Sequence, residues 1–113
     1  MEAFAKDAKA RFETRMVNRL RSNYPAQTRG TADAELRATI RAGVARAATH
    51  SVTDESDVER YLDCVIEHGP EFDRTQWAAP ILSNSRLSGS EKMNRIDDHR
   101  LHAAVRRMSG TTP

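Results

Sequence analysis

Residues 53–70, TDESDVERYLDCVIEHGP, predict one amphipathic helix with both of its ends marked. Thr53 is a suitable N-cap, and acidic residues fill the first turn, where they complement the positive end of the helix dipole. Gly69-Pro70 ends the helix, because glycine adopts a left-handed cap and proline cannot continue the helical hydrogen bonds. Apolar residues recur at helical spacing between these ends. The core-facing stripe that they predict consists of Val58, Leu62, Val65 and Ile66.

Two further helices are predicted before this stretch. The first covers 2–22 and ends at Tyr24-Pro25, because the residue before a proline is disfavoured in the α region. Residues 24–30 are then expected to be a loop. The second helix begins with Thr31 as its N-cap, and Gly43 inside it indicates that another helix approaches closely. The apolar positions of the two helices are Phe4, Ala8, Phe12, Met16, Leu20, Leu36, Ile40, Val44 and Ala47.

The C-terminal part combines an irregular connection with a long helix. Residues 76–82 predict a short helix within the connection. Ser88-Gly89-Ser90-Glu91 matches a capping box and opens the last helix, which Ser109-Gly110 ends. The apolar stripe predicted for this last helix is Met93, Ile96, Leu101, Ala104, Val105 and Met108.

Length and composition predict a single all-α domain. The chain has 113 residues, of which 5% are aromatic and 30% charged, so its apolar content is carried by residues that suit helices. A domain of this size buries about two-thirds of its unfolded surface, which suffices for one core. We therefore expect a compact bundle of four main helices plus one short helix over residues 1–110, with 111–113 as a frayed tail.

Charge is distributed unevenly along the chain. Residues 1–30, 31–74 and 75–113 carry net charges of +4, −5 and +3, which gives the total of +2. Nucleic-acid binders usually concentrate one sign of charge, whereas this pattern offers both an acidic and a basic face to partners. Arg11, Arg15 and Arg19 lie one turn apart and predict a basic ridge on the first helix.

No motif for catalysis or for metal binding is evident in the sequence. Cys64 is the single cysteine, which excludes an intramolecular disulfide and fits a reducing compartment. His99 and His102 have helical ligand spacing, but no matching pair stands elsewhere to complete a zinc site. Phosphate loops, nucleophile elbows and metalloprotease motifs are absent as well. We therefore expect a non-enzymatic protein without cofactor or metal, and its N-terminal sequence and hydropathy predict a cytoplasmic location without a membrane span.

The connection 69–82 is the most informative segment for binding. Phe72, Trp77, Ile81 and Leu82 are concentrated in it. Large apolar side chains in an irregular connection either plug the end of the bundle or anchor a partner, since tryptophan is over-represented in binding hot spots. These four residues, with Arg11, Arg15 and Arg19, form the candidate protein-binding set.

Five motifs occur here in the order seen in a group of short bacterial proteins. They are an F-x-x-R helix start with a later leucine (12–20), ELRATIRAGVARA (35–47), D-x-x-R-Y-L (57–62), G-x-x-F-D (69–73) and W-A-x-x-I-L (77–82). With them the chain resembles, over about residues 11–101, small accessory proteins encoded beside type VI secretion effectors, their spikes and their adaptor chaperones. The resemblance implies a co-chaperone or adaptor that helps load an effector, and it supplies no catalytic residues.

Two alternatives remain open at this stage. An immunity protein would bind and neutralise a toxin, using the acidic middle third of the chain. A small nucleic-acid-binding protein would use the basic ridge of the first helix. The partner is accordingly expected to be an effector, an adaptor chaperone or a toxin, and nucleic acid is the less favoured class.

Overall fold

The computed structural model describes the backbone of residues 2–110 and the side chains of residues 8–108. Within that part the protein is an all-α bundle without β-strands, which confirms the predicted fold class. Four long helices are joined by two single-turn α-helices and one 3-10 turn. In chain order these are α1 (Glu2–Asn23), α2 (Pro25–Thr28), α3 (Asp33–Thr49), α4 (Glu55–His68), the 3-10 turn (Phe72–Arg74), α5 (Ala79–Leu82) and α6 (Gly89–Gly110). The expected tail 111–113 and the side chain of Phe4 lie outside the described residues.

The loop expected at 24–30 is wrong, because it contains α2. Pro25 begins this helix, and its fixed φ suits the first turn, where no backbone donor is needed. The hydroxyl of Thr28 donates a hydrogen bond of 2.8 Å to the carbonyl oxygen of Tyr24, which closes the turn. The same proline therefore ends one helix and starts the next.

Three other helix boundaries differ slightly from the prediction. Ala32 and Asp54 stand at the N-cap positions, one residue beyond the predicted Thr31 and Thr53, and neither makes a side-chain capping bond. The short helix α5 covers only Ala79–Leu82 rather than 76–82. Pro80 lies in its first turn, where it is tolerated.

The centre of the bundle is α4, which packs against α1, α3 and α6. Half of its fourteen residues are buried, including two carboxylates. Gly43 on α3 faces it, and a Cβ at that position would overlap Cδ2 of Leu62. The close helix approach predicted from Gly43 is therefore confirmed. The buried residues of α4 are Asp57, Val58, Tyr61, Leu62, Asp63, Cys64 and Val65.

Ion pairs between helices show the direction of each one. Arg15 contacts Glu59 at 2.9 Å and Arg19 contacts Asp63 at 2.8 Å, so α1 and α4 run parallel. On the other side, α6 also runs parallel to α4, because its successive residues contact successive turns of α4. These α4–α6 contacts are Asp57 with Ser90, Arg60 with Asn94 and Asp97, and Glu67 with Arg100.

The helices α1 and α6 each have 22 residues and α4 has 14, so both neighbours extend beyond an end of α4. Arg15 is already level with the first residue of α4, Glu55, so the N-terminal half of α1 projects beyond one end. Arg100 is level with Glu67 near the last residue of α4, so α6 continues for about 15 Å beyond the other end. We call residues 101–108 the α6 extension.

A buried carboxylate fixes the connection after α4. Asp73 accepts two hydrogen bonds from Arg46, at 2.6 and 2.9 Å, and its Oδ2 lies 2.8 Å from Nε2 of His50. Both partners come from the C-terminal part of α3. The guanidinium and imidazole hydrogen bonds hold the pKa of Asp73 below its usual value, against the opposing effect of burial. The connection is therefore bound to α3 by charge.

The start of α6 is fixed by its own side chains and by the turn between α3 and α4. The backbone N–H of Glu91 donates to Oγ of Ser88 at 3.1 Å, and the N–H of Ser88 donates to the Glu91 carboxylate at 3.0 Å. This reciprocal pair confirms the predicted capping box. A Cβ on Gly89 would overlap the carbonyl oxygen of Ser51, so only glycine fits the contact.

The Gly89 contact predicts a loss of stability on substitution. Gly89→Ala should lower the free energy of unfolding by about 1–3 kcal/mol, because backbone atoms must shift to admit the methyl group. Gly30→Ala is the matched control, since nothing lies within 4 Å of its added Cβ. Urea denaturation followed by circular dichroism gives both values. Equal stability of the two variants would contradict the close contact.

Replacing Asp73 should also destabilise the fold. Asp73→Asn removes the charge that pairs with Arg46 and His50, and we expect a loss of about 2–4 kcal/mol at neutral pH. Glu71→Gln, in an exposed pair with Arg74, should cost less than about 1 kcal/mol.

The same pair of variants tests a pH dependence. Because the folded state lowers the pKa of Asp73, its contribution is complete above the unfolded value and is lost as the pH falls through the folded value. Denaturation between about pH 5 and pH 2 should therefore show a steeper decline for the natural chain than for Asp73→Asn. Parallel curves would contradict the assignment.

Candidate protein-binding surfaces

The predicted basic ridge of α1 is largely a helix–helix contact. Arg15 pairs with Glu55 and Glu59, and Arg19 makes a hydrogen-bonded pair with Asp63, which is buried. Arg11 is exposed. The structure therefore brings two of the three arginines onto α4 instead of leaving the ridge to solvent.

The acidic middle third is neutralised in the same way. Eight of the ten acidic residues in 31–74 make an ion pair with an arginine inside the described part of the chain. Only Asp54 and Glu35 are outside these pairs. A broad acidic face, on which the immunity-protein alternative depends, is therefore reduced to isolated carboxylates.

The aromatic connection mainly plugs the end of the bundle. Phe72 and Leu82 are buried, whereas Trp77 and Ile81 are half-buried. The Trp77 ring is stacked on His99 of α6, with centroids 4.6 Å apart and planes 4° from parallel. His68 meets the same indole edge-on at 5.4 Å. Of the four predicted residues, Trp77 and Ile81 thus keep some surface for a partner.

Burial shapes the electrostatics around this aromatic cluster. It lowers the pKa of His68, and the nearby Arg100 and Arg107 act in the same direction, while Glu67 opposes them. His68 is therefore favoured in its neutral form, which suits its contact with the indole.

A stability measurement distinguishes the plug from the anchor. Trp77→Ala should lower the free energy of unfolding by about 1–3 kcal/mol, because the stacking on His99 and the contact with Phe72 are lost. Gln76→Ala, at the exposed neighbouring position, should change it by less than about 0.5 kcal/mol. Circular dichroism in denaturant measures both. Equal values would favour Trp77 as an anchor for a partner.

The predicted stripe of α6 separates into two faces. Met93 and Ile96 are fully buried, but Leu101, Val105 and Met108 are 62%, 50% and 74% exposed. They are the exposed large hydrophobic residues within 8–108, and all of them lie on the α6 extension. The prediction that these three continue the core stripe is therefore wrong.

Helical geometry explains the separation. Ile96 and Leu101 are five residues apart, which places them about 140° apart around the helix. From Leu101 the spacing of four and then three keeps Val105 and Met108 on one face. In the sequence, the five-residue gap between Ile96 and Leu101 indicated a second apolar face on this helix. The small length predicted for α4 indicated that this face lies beyond the end of α4.

A second apolar surface is a groove of about 720 Å³ between α1, α3 and the start of α4. It lies toward the opposite end of the molecule from the α6 extension. Its apolar lining includes Phe12, Ile40, Val44 and Val58. Its polar lining includes Lys9, Glu13, Arg41 and Glu55.

The side chains considered for catalysis or metal binding, Cys64, His99 and His102, are buried or make contacts within the fold. Burial raises the pKa of Cys64 to about 12, so the thiol remains protonated at neutral pH and is a poor nucleophile. Nδ1 of His102 lies 2.8 Å from the carbonyl oxygen of Asp98, and His99 stacks on Trp77. Among the described residues no cluster of three or more His, Cys, Asp or Glu side chains is suited to holding a metal ion.

No family model, curated protein or solved structure matches this chain. The described part of the chain also contains no helix with the length and apolar character needed to cross a membrane. The function is therefore inferred from the residues themselves.

Proposed function

We propose that this protein is a non-enzymatic accessory factor that binds another protein through the α6 extension. The observation that carries the proposal is the exposure of Leu101 and Val105 on one face of a helix that projects from the bundle. Grouped apolar side chains on a protein surface mark an interaction site more often than single ones do.

The spacing on the extension suits a common form of recognition. Leu101, Val105 and Met108 stand at positions i, i+4 and i+7, which is the pattern by which an amphipathic helix enters an apolar groove. The helix is already formed and is fixed at its base by the ion pair of Arg100 with Glu67, so little conformational entropy is lost on binding. A preformed helix that presents apolar residues is a suitable element for an adaptor.

The sequence resemblance supplies the biological setting of the proposal. The motifs in 35–47, 57–62 and 77–82 are those shared with accessory proteins encoded beside type VI secretion effectors. In that setting the chain is a cytoplasmic co-chaperone or adaptor that helps load an effector. The pairing of the acidic residues with arginines leaves less support for the immunity-protein alternative, and the pairing of Arg15 and Arg19 leaves less for nucleic-acid binding.

Co-expression with the neighbouring effector and adaptor chaperone tests the proposal. The tagged chain should co-purify with one of them, and Val105→Asp should abolish recovery because it places a charge in the apolar contact. Asn18→Asp is the matched control, since it adds the same charge at an exposed position of a long helix away from the extension. Both variants should fold as well as the natural chain.

Two results would contradict the proposal. One is the absence of a complex with either neighbour. The other is a complex that survives Val105→Asp as well as it survives Asn18→Asp, which would remove the α6 extension from the contact. A toxicity assay addresses the alternative, because only an immunity protein protects cells that express the adjacent toxin.

A further inference from the structure

The groove and the α6 extension have one structural cause and lie at opposite ends of the bundle. The helix α1 projects beyond the first turn of α4, so its residues 8–13 are separated from α3 by the groove instead of being covered by α4. The helix α6 projects beyond the last turn of α4, which leaves Leu101 and Val105 largely exposed. The molecule therefore has a concave apolar surface at one end and a convex apolar helix at the other.

The lengths of the two surfaces correspond. Arg15 is level with Glu55 at the start of α4, and Ala8 stands seven residues before Arg15, so the α1 wall of the groove reaches about 10 Å beyond α4. The α6 extension projects about 15 Å beyond the other end of α4. It is therefore long enough to lie along the whole wall before two bundles would meet.

The helix directions allow this contact to repeat along the molecule. Both α1 and α6 run parallel to α4, so α6 leaves the bundle in the direction in which α1 enters it. Displacing one copy along α4 relative to another brings an extension toward a groove without turning either copy. The seated extension would pack on α1 and α3, the same two helices that α4 contacts within the bundle.

The charges of the groove leave one cation without a partner. Glu13 pairs with Arg41 at 2.9 Å and Glu55 pairs with Arg15 at 3.2 Å, so these groups are already satisfied. Lys9 also lines the groove, but it is exposed and makes no ion pair within residues 8–108. An apolar helix that enters the groove would therefore gain from a carboxylate placed beside Lys9.

Asp98 supplies that charge on the other surface. It stands seven residues before Val105 and so lies on the same face of α6, at the base of the stripe. Its side chain is exposed and has no ion pair in the described part of the chain. With the extension parallel to α1, Asp98 would lie at the mouth of the groove. Lys9 leans toward the same mouth, because helical side chains tilt toward the N-terminus of their helix.

We propose that copies of this chain associate head to tail, with the α6 extension of one copy seated in the groove of the next and Asp98 paired with Lys9. The contact is heterologous, because the two surfaces differ. Two turns of helix form a contact at the low end of specific interfaces, below about 1,200 Å² in total, so association should depend on concentration. The inference goes beyond the proposed function, and it makes a partner protein and a second copy compete for the same extension.

Sedimentation velocity of the full chain between about 10 µM and 1 mM tests the proposal. The average mass of the natural chain should rise with concentration above the 12.7 kDa of a monomer. Val105→Asp on the extension and Ala45→Glu in the groove should each weaken association at least about tenfold, because each places a charge in the apolar contact. Both positions are exposed, so both variants should fold. A natural chain that stays monomeric throughout would overturn the proposal.

Matched controls keep each substitution and change its position. Asn18→Asp and Ala48→Glu lie at exposed positions of α1 and α3 outside the groove and the extension. They should associate like the natural chain. Association that the controls weaken as strongly as the contact variants do would overturn the proposal.

Mixing the two contact variants distinguishes head-to-tail association from other pairings. The Ala45→Glu chain keeps an intact extension and the Val105→Asp chain keeps an intact groove, so an equimolar mixture should form a complex of one copy of each. A mixture that stays monomeric would overturn the proposal. Association that is lost in Val105→Asp but survives Ala45→Glu would overturn it as well, because it would assign the extension to the extension of another copy.

Charge exchange tests the pairing of Lys9 with Asp98. Lys9→Glu or Asp98→Lys alone should weaken association about two- to fivefold at low salt, the range of an exposed ion pair, and both changes in one chain should restore it. Single changes without effect, or a double change no better than either single one, would overturn the pairing and with it the parallel seating of the extension.

Ala45→Glu also separates this inference from the proposed function, because it blocks the groove and leaves the extension intact. A neighbouring protein that co-purifies with Ala45→Glu, while the natural chain stays monomeric, would keep the proposed function and overturn head-to-tail association. Self-association with the expected pattern of variants, but without any co-purifying neighbour, would support the head-to-tail contact and remove the type VI secretion role.

Discussion

The shortness of α4 is the constraint on which the rest of the structure depends. Fourteen residues must provide the surface for α1, α3 and α6 at once, and half of them are consequently buried. Such a helix accepts close neighbours only where side chains are small, as at Gly43. It also limits burial of the longer helices to its own length, so that α1 and α6 project at opposite ends.

Charge pairing across α4 explains why the uneven charge of the sequence does not become an uneven surface. The basic first third supplies Arg15 and Arg19, and the acidic middle supplies Glu59 and Asp63, so the two thirds neutralise each other by packing. Individual exposed pairs of this kind contribute little stability, but a ladder of them fixes the direction and register of the helices. The last third contributes Arg100, which pairs with Glu67, and Lys92, which donates a hydrogen bond to the carbonyl oxygen of His50.

Much of the fold was predictable because local signals agree with the tertiary contacts. The capping box at Ser88 and Glu91 and the close approach at Gly43 were both read correctly from residue type and spacing. The two N-caps were each misplaced by one residue, because residue type alone locates a helix end only to within a residue or so, and α2 was missed because Pro25 can both end and begin a helix. Periodicity also identifies an apolar face without showing what covers it. It therefore placed Leu101 and Val105 in the core, whereas the ends of neighbouring helices decide their exposure.

The candidate surface is energetically separate from the fold. Leu101 and Val105 remain largely exposed after folding, so their apolar side chains contribute little to the hydrophobic free energy that stabilises the bundle. Phe72 and Leu82 differ in this respect, because their substitution would disturb the core and any partner contact together. Trp77 is intermediate between the two cases, because it is half-buried and its ring stacks on His99. Binding effects measured at the α6 extension can therefore be assigned to recognition, whereas effects measured in the connection must first be corrected for the stability of the fold.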